Sequence, residues 1–140
     1  MLGLIRYKVE LCPEVNGQLF ENGIPLVNQL VERGLTYDDE ELDSVYTDDN
    51  GFFKFPAKSL KSRKPGSIFH EPVVRITIVL EKEGQTYTLW FGFQHGLKTP
   101  IEFRKFLKNL NADLSNEEKK HHLVNPINSL EEHFIYSICL

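Results

Sequence analysis

The segment from Val74 to Phe93 constrains the fold of this chain more than any other. Val74, Ile76, Ile78 and Leu80 alternate with Arg75, Thr77 and Glu81. After Glu83-Gly84 the pattern resumes with Tyr87, Leu89, Phe91 and Phe93. A period of two puts successive side chains on opposite faces, so each half reads as a half-buried β-strand. The spacing predicts an antiparallel hairpin with these eight side chains on one buried face. Burying them contributes on the order of 1.5–3 kcal/mol each before conformational entropy is subtracted. Such a ribbon needs a second layer over its apolar face, which makes two layers of strands the expected architecture.

The rest of the chain supplies that layer. Ile5, Tyr7, Val9 and Leu11 alternate with Arg6, Lys8 and Glu10 before Pro13 ends the strand. Val15 to Phe20 is a second strand, and it runs into Asn22-Gly23, the strongest short-range turn signal. Pro25 opens a third through Val31. Ser44 to Thr47 and Phe52 to Phe55 read as a hairpin around Asp48-Asp49-Asn50-Gly51, and Phe134 to Leu140 as a last strand. Thr99-Pro100-Ile101-Glu102 has the form of a capping box with proline at the first helical position. Phe103, Phe106, Leu107 and Leu110 follow at helical spacing, which predicts one short helix. The expected class is mostly β, an antiparallel Greek-key sandwich with that one helix. At 140 residues the chain has the length of one domain, 1–140, able to bury a core without disulfide or metal. Cys12 and Cys139 belong to no C-x-x-C pair and read as free, buried thiols.

Several function classes find little support. A net charge of −4 argues against a nucleic-acid partner, which needs a basic face. The basic loop from Lys58 to Gly66, with Lys58, Lys61, Arg63 and Lys64, lacks the interleaved aromatics that stack bases. The longest uncharged run, Gln85 to Leu97, is shorter than the roughly 18 residues of a membrane span. The apolar N-terminal stretch is broken by Arg6 and Lys8, so neither signal peptide nor membrane anchor is expected, and the location expected is cytoplasmic.

Candidate chemistry is equally sparse. In an EF-hand alignment of Asp48, Asn50 and Gly51, Tyr46 takes the first ligand position and Ala57 the bidentate Glu position, so the motif fails at both ends. Of His70, His95, His121, His122 and His133 only His121-His122 are close, and adjacent residues point apart. There is no G-x-S-x-G elbow and no Gly-rich phosphate loop. No catalytic residue, metal or cofactor is expected. The acidic run is more specific: Asp38, Asp39, Glu40, Glu41 and Asp43 put five carboxylates within six positions. Such a run reads as a solvated loop, or as a surface that steers a cationic protein into contact.

Three motifs in order resemble a known family. They are Val15-Asn16-Gly17-Gln18-Leu19, then Asn22-Gly23-Ile24-Pro25-Leu26, then Tyr46-Thr47-Asp48-Asp49-Asn50-Gly51-Phe52-Phe53-Lys54-Phe55-Pro56. Together they resemble the carboxypeptidase regulatory-like domain of the transthyretin-like sandwiches, and the whole chain is similar to a group of small bacterial proteins of unknown function. The resemblance implies a seven-stranded Greek-key sandwich with a binding or structural role. Hydroxyisourate hydrolases, the enzymatic branch of that superfamily, end in Tyr-Arg-Gly-Ser. This chain ends Tyr136-Ser137-Ile138-Cys139-Leu140, so that activity is not carried over.

The function expected is a non-catalytic protein-binding module, in its most concrete form an immunity or adaptor protein that neutralises a bacterial toxin or effector. Its contact residues would be Asp38, Asp39, Glu40, Glu41 and Asp43. The alternatives are an accessory structural domain that joins a larger machine by β-augmentation and, third, a small-molecule hydrolase.

Overall fold

The architecture is that of a computed structural model, which describes residues 6–62, 72–124 and 132–139. In chain order the strands are β1 (Tyr7–Cys12), β2 (Val15–Glu21), β3 (Ile24–Pro25), β4 (Leu30–Tyr37), β5 (Asp39–Tyr46), β6 (Phe52–Phe55) and β7 (Lys58–Ser62). They continue as β8 (Val73–Lys82), β9 (Gln85–His95), then helix α1 (Ile101–Leu107), β10 (Ala112–Asp113), β11 (Lys119–Val124) and β12 (Glu132–Ser137). The large sheet has the order β11-β12-β9-β8-β4-β5, with every neighbouring pair antiparallel. Two smaller sheets complete the fold. In one, β2 pairs with β6, β3 and, in parallel, β10; the other is β1 with β7.

The side chains of all three sheets meet in one buried cluster. Val74, Ile76, Ile78 and Leu80 of β8 join Val9, Leu11, Val15, Leu19, Phe53 and Phe55 from the smaller sheets. Helix α1 adds Phe103 and Leu107, and Trp90 meets Phe103 and Phe106 edge-on at 5.0 and 5.4 Å. Among the described residues the fold is mostly β, an antiparallel sandwich with one short helix, as the alternation and the helical spacing after Pro100 predict.

Local turn chemistry explains several elements. Asn22 and Gly23 both take positive φ, 52° and 81°, which joins β2 to β3 through a two-residue loop. Asp113 fastens that loop from far along the chain: its carboxylate accepts the N–H groups of Asn22 at 3.0 Å and Gly23 at 2.8 Å. It also takes the Ser115 N–H at 2.9 Å. These backbone donors, that of Ser115 foremost, hold the Asp113 carboxyl down at about 2.

Several expectations need correction. The third strand does not run from Pro25 to Val31. Asn28, at φ 54°, breaks it, and the Thr47 hydroxyl clamps the break by donating to Leu26 O at 2.6 Å and accepting Gln29 N–H at 2.8 Å. The chain thereby changes sheets between β3 and β4. The segment Phe52 to Phe55 is not the hairpin partner of Ser44 to Thr47, for β6 pairs with β2. The Asp48–Gly51 turn is instead a corner between sheets, because Gly51 O accepts Leu19 N–H at 2.9 Å and draws the turn onto β2. A Cβ at Gly51 would stand 2.4 Å from Leu19 O.

On β9 the expected face holds only in part. The register slips between Ile78 and Val79, pairing Ile78 with Trp90 but Val79 with Thr88. This β-bulge carries an extra residue, so Leu89 and Trp90 are both buried and Phe91 and Phe93 turn to the outer face. The capping box does not form. Thr99 donates its N–H to Glu10 Oε1 at 2.9 Å, Pro100 occupies the cap position and the helix starts at Ile101. The basic stretch begins as a strand, since Lys58 to Ser62 pair with β1; Arg63, Lys64 and Gly66 lie outside the described residues, as do Ile5 and His70.

Candidate functional site

The acidic run is a strand, not the solvated loop that its charge predicts. Asp38 alone turns the chain at φ 63°, a conformation that Asp tolerates, and Asp39 then pairs with Tyr37. β5 continues in register with β4 to Tyr46. Pairing to β4 removes the cost of an extended backbone, and the carboxylates divide between two faces. Among the described residues β5 pairs only with β4, so it forms one edge of the large sheet.

Two of the five predicted contact residues serve the fold. Arg33 stands opposite Asp43 and is fully buried, on the same face as Val31, Leu35 and Tyr37. Its Nε and Nη2 donate to the two Asp43 oxygens at 3.0 and 2.7 Å, and Nη1 donates to Pro56 O at 2.8 Å. The guanidinium lies 4.8 Å from the Phe55 ring centre. Burial alone would raise the Asp43 carboxyl; the Arg33 hydrogen bonds and charge, with Lys58 at 3.5 Å, outweigh it and hold the group below its ordinary range. Glu40, on the other face, meets Arg75 at 3.2 Å. Asp39 and Glu41 are exposed and form no ion pair among the described residues. The free negative charge of β5 therefore sits at its beginning.

The sheet face on the far side from the core is rich in apolar surface. Leu42 is 70 % exposed, Phe134 50 %, Phe93 45 % and Tyr136 41 %. Phe91 meets Phe93 edge-on at 5.7 Å and lies 6.3 Å from Tyr136. At the opposite edge, β11, the Lys120 ammonium stands 4.4 Å over Phe134, and His122 stacks on the same ring at 4.7 Å. The bulge in β9 creates part of this surface, and no alternation pattern announces a bulge.

A cavity of about 630 Å³ opens where the end of β5, the β2–β6 pair and the segment after α1 meet. It is lined by the rings of Tyr46, Phe52 and Phe53, by the amides of Asn16, Gln18, Asn109 and Asn111, and by Asp48, Lys54 and Lys108. β2 comes close to the segment after α1 because Gly17 has no side chain: a Cβ there would stand 2.2 Å from Leu110 O.

The remaining candidates are placed apart. His121 faces inward, 5.1 Å from the Phe106 ring, whereas His122 faces outward on Phe134, as adjacent strand residues must. No group of three or more His, Cys, Asp or Glu side chains able to hold a metal occurs among the described residues. Asp48 spends one carboxylate oxygen on its own turn, accepting the N–H groups of Asn50 and Phe52 at 2.9 Å each. Cys12 and Cys139 are buried and unbridged. Burial pushes their thiols up to about 11 and about 12, against the opposing influence of Arg33 on Cys12 and Ser137 on Cys139. Thiols so protonated are poor nucleophiles at neutral pH. No helix among the described residues is long and apolar enough to cross a membrane.

No curated protein and no solved structure matches the chain. A family model does, over residues 15–117, from the start of β2 through the cavity to the approach to β11. By that match, which covers well over half its length, the chain belongs to the family described as a domain of unknown function, DUF6795.

Proposed function

We propose that the protein is a non-catalytic protein-binding module that docks a cationic partner along the start of β5, in its most concrete form a bacterial immunity or adaptor protein that covers a toxin or effector. The observation that carries this reading is the edge itself. Asp39 and Glu41 are exposed on a strand that, among the described residues, is paired on one side only. Carboxylates so placed attract and orient a basic surface. Glu40 and Asp43 contribute less, being held by Arg75 and Arg33. The resemblance to the transthyretin-like sandwiches belongs to the same reading. Its three motifs fall on β2, β3 and the β5–β6 corner, and it implies binding over catalysis.

Zero-length coupling of carboxylates to amines tests the proposal. The purified chain is incubated with native lysate of its source, coupled, and digested for mass spectrometry. The reading expects Asp38, Asp39 or Glu41 joined to lysines of one partner protein, and loss of those links in the D38N/D39N/E41Q variant. Links confined to other carboxylates, or a partner retained equally by the variant, would refute it.

β-augmentation on the same edge is the second reading. The one-sided pairing of β5 favours it, and Ser44→Pro would then abolish binding where charge neutralisation would not.

A further inference from the structure

The cavity at the end of β5 has a composition that the docking edge does not use. Its distance from that edge follows from strand rise: Asp39 and Tyr46 are separated by roughly 24 Å of extended chain. About 630 Å³ lies within the roughly 300–1,000 Å³ range of small-molecule sites. Tyr46 and Phe52 line it and are each at least half exposed, so neither ring is spent on the core.

The polar lining is fixed in place by the protein and still has capacity left. Asn111 Oδ1 accepts Gln18 N–H at 2.9 Å, Gln18 Nε2 donates to Asn50 O at 2.9 Å, and Asn16 Nδ2 donates to Glu14 at 3.2 Å. Each of these amides uses one polar atom on the protein. The other, Nδ2 of Asn111 and the side-chain oxygens of Gln18 and Asn16, offers one NH2 group and two carbonyl oxygens to a ligand. Hydroxyl groups both donate and accept, so a mixed set of this kind suits them better than a row of like charges.

The charges narrow the choice further. Lys54 lies 3.5 Å from Glu14 and is partly neutralised, while Lys54 and Lys108 together disfavour a cation over the rings. A phosphate would want several unpaired cations or converging backbone N–H groups, and the cavity offers Lys108. Asp48 is the one carboxylate in the lining, whereas glycoside hydrolysis ordinarily needs two.

We infer that this cavity is a saccharide-binding site, in which Tyr46 and Phe52 stack on the apolar face of an uncharged sugar ring and Asn16, Gln18 and Asn111 bind its hydroxyls. The site holds a sugar without cleaving it.

Amide chemical shifts of the full chain, titrated with maltotriose, cellotriose, chitotriose, AMP and inorganic phosphate, test the inference. At least one trisaccharide should shift residues 16–18, 46, 52–54 and 109–111 saturably, and Y46A/F52A should weaken that binding by about tenfold. The variants Y46A and F52A taken singly give the same reading should the double variant lose its fold. The inference is overturned if no trisaccharide moves these amides, if the variants bind as the parent does, or if AMP or phosphate alone moves them. The outcome is independent of the docking edge, since the variants leave Asp38, Asp39 and Glu41 in place.

Discussion

Arg33 is the residue on which the acidic edge depends. Its neighbours Val31, Leu35 and Tyr37 are buried, so an arginine at that position enters the core with them. A buried guanidinium is tolerable only when its donors are met, and Asp43, Pro56 O and the Phe55 ring meet them. Removing the arginine would deprive the partly buried Asp43 carboxylate of both its guanidinium hydrogen bonds and leave it the longer contact with Lys58. Arg33→Ala is therefore expected to cost about 3–5 kcal/mol in urea unfolding, the usual loss when one member of a buried pair is deleted. A loss under about 1 kcal/mol would show that the pair is solvated in practice. Asp113 gives a second test at this scale. Its folded carboxyl titrates at about 2 against an ordinary 3.8, so its contribution is complete above the ordinary value and disappears as pH falls toward 2. Asp113→Asn should flatten the stability profile between those limits and leave little pH-dependent difference near neutrality.

Elements were legible in the sequence where one signal sufficed and were misread where two competed. β8 follows from its alternation, and the β2–β3 loop follows from Asn22-Gly23. The start of β5 was hidden because five carboxylates mask the period of two: Asp39, Glu41 and Asp43 share one face and Glu40 and Leu42 the other. Local charge spoke for a loop, while pairing with β4, a tertiary interaction, decided for a strand. β7 was hidden for the opposite reason, since Leu60 is its only apolar residue. On β9, simple alternation puts Phe91 and Phe93 in the core, because the slip at Val79 leaves no mark in composition. The cavity was invisible as a unit, although Asn16, Gln18, Tyr46 and Phe52 all stand in or beside the motifs quoted for the resemblance. Gly17 offers an element-scale prediction. A methyl group there would meet the Leu110 carbonyl and the Phe53 ring 2.6 Å away, so Gly17→Ala should force β2 from the segment after α1. The expected cost is about 1–3 kcal/mol, with loss of the cavity's amide set. Unchanged thermal unfolding would mean that the two segments move apart freely.

At the scale of the whole molecule, the large sheet is asymmetric in charge. Among the described residues, β5 at one edge carries Asp39, Glu40 and Glu41, and β11 at the other carries Lys119 and Lys120. Between them lies an outer face with Phe93, Phe134 and Tyr136 partly exposed. A field of this shape orients an approaching protein before contact, and its effect belongs to the association rate more than to the final affinity. Arg33 and Arg75 anchor the acidic strand, and the docking proposed above uses the charge at its beginning. The decisive measurement is the association rate with the captured partner as a function of salt, for the parent chain and for D38N/D39N/E41Q. The parent should associate about tenfold faster or more at low ionic strength and slow steeply as salt rises, while the variant should be slow and nearly salt-independent. Equal rates with equal salt slopes would contradict the account.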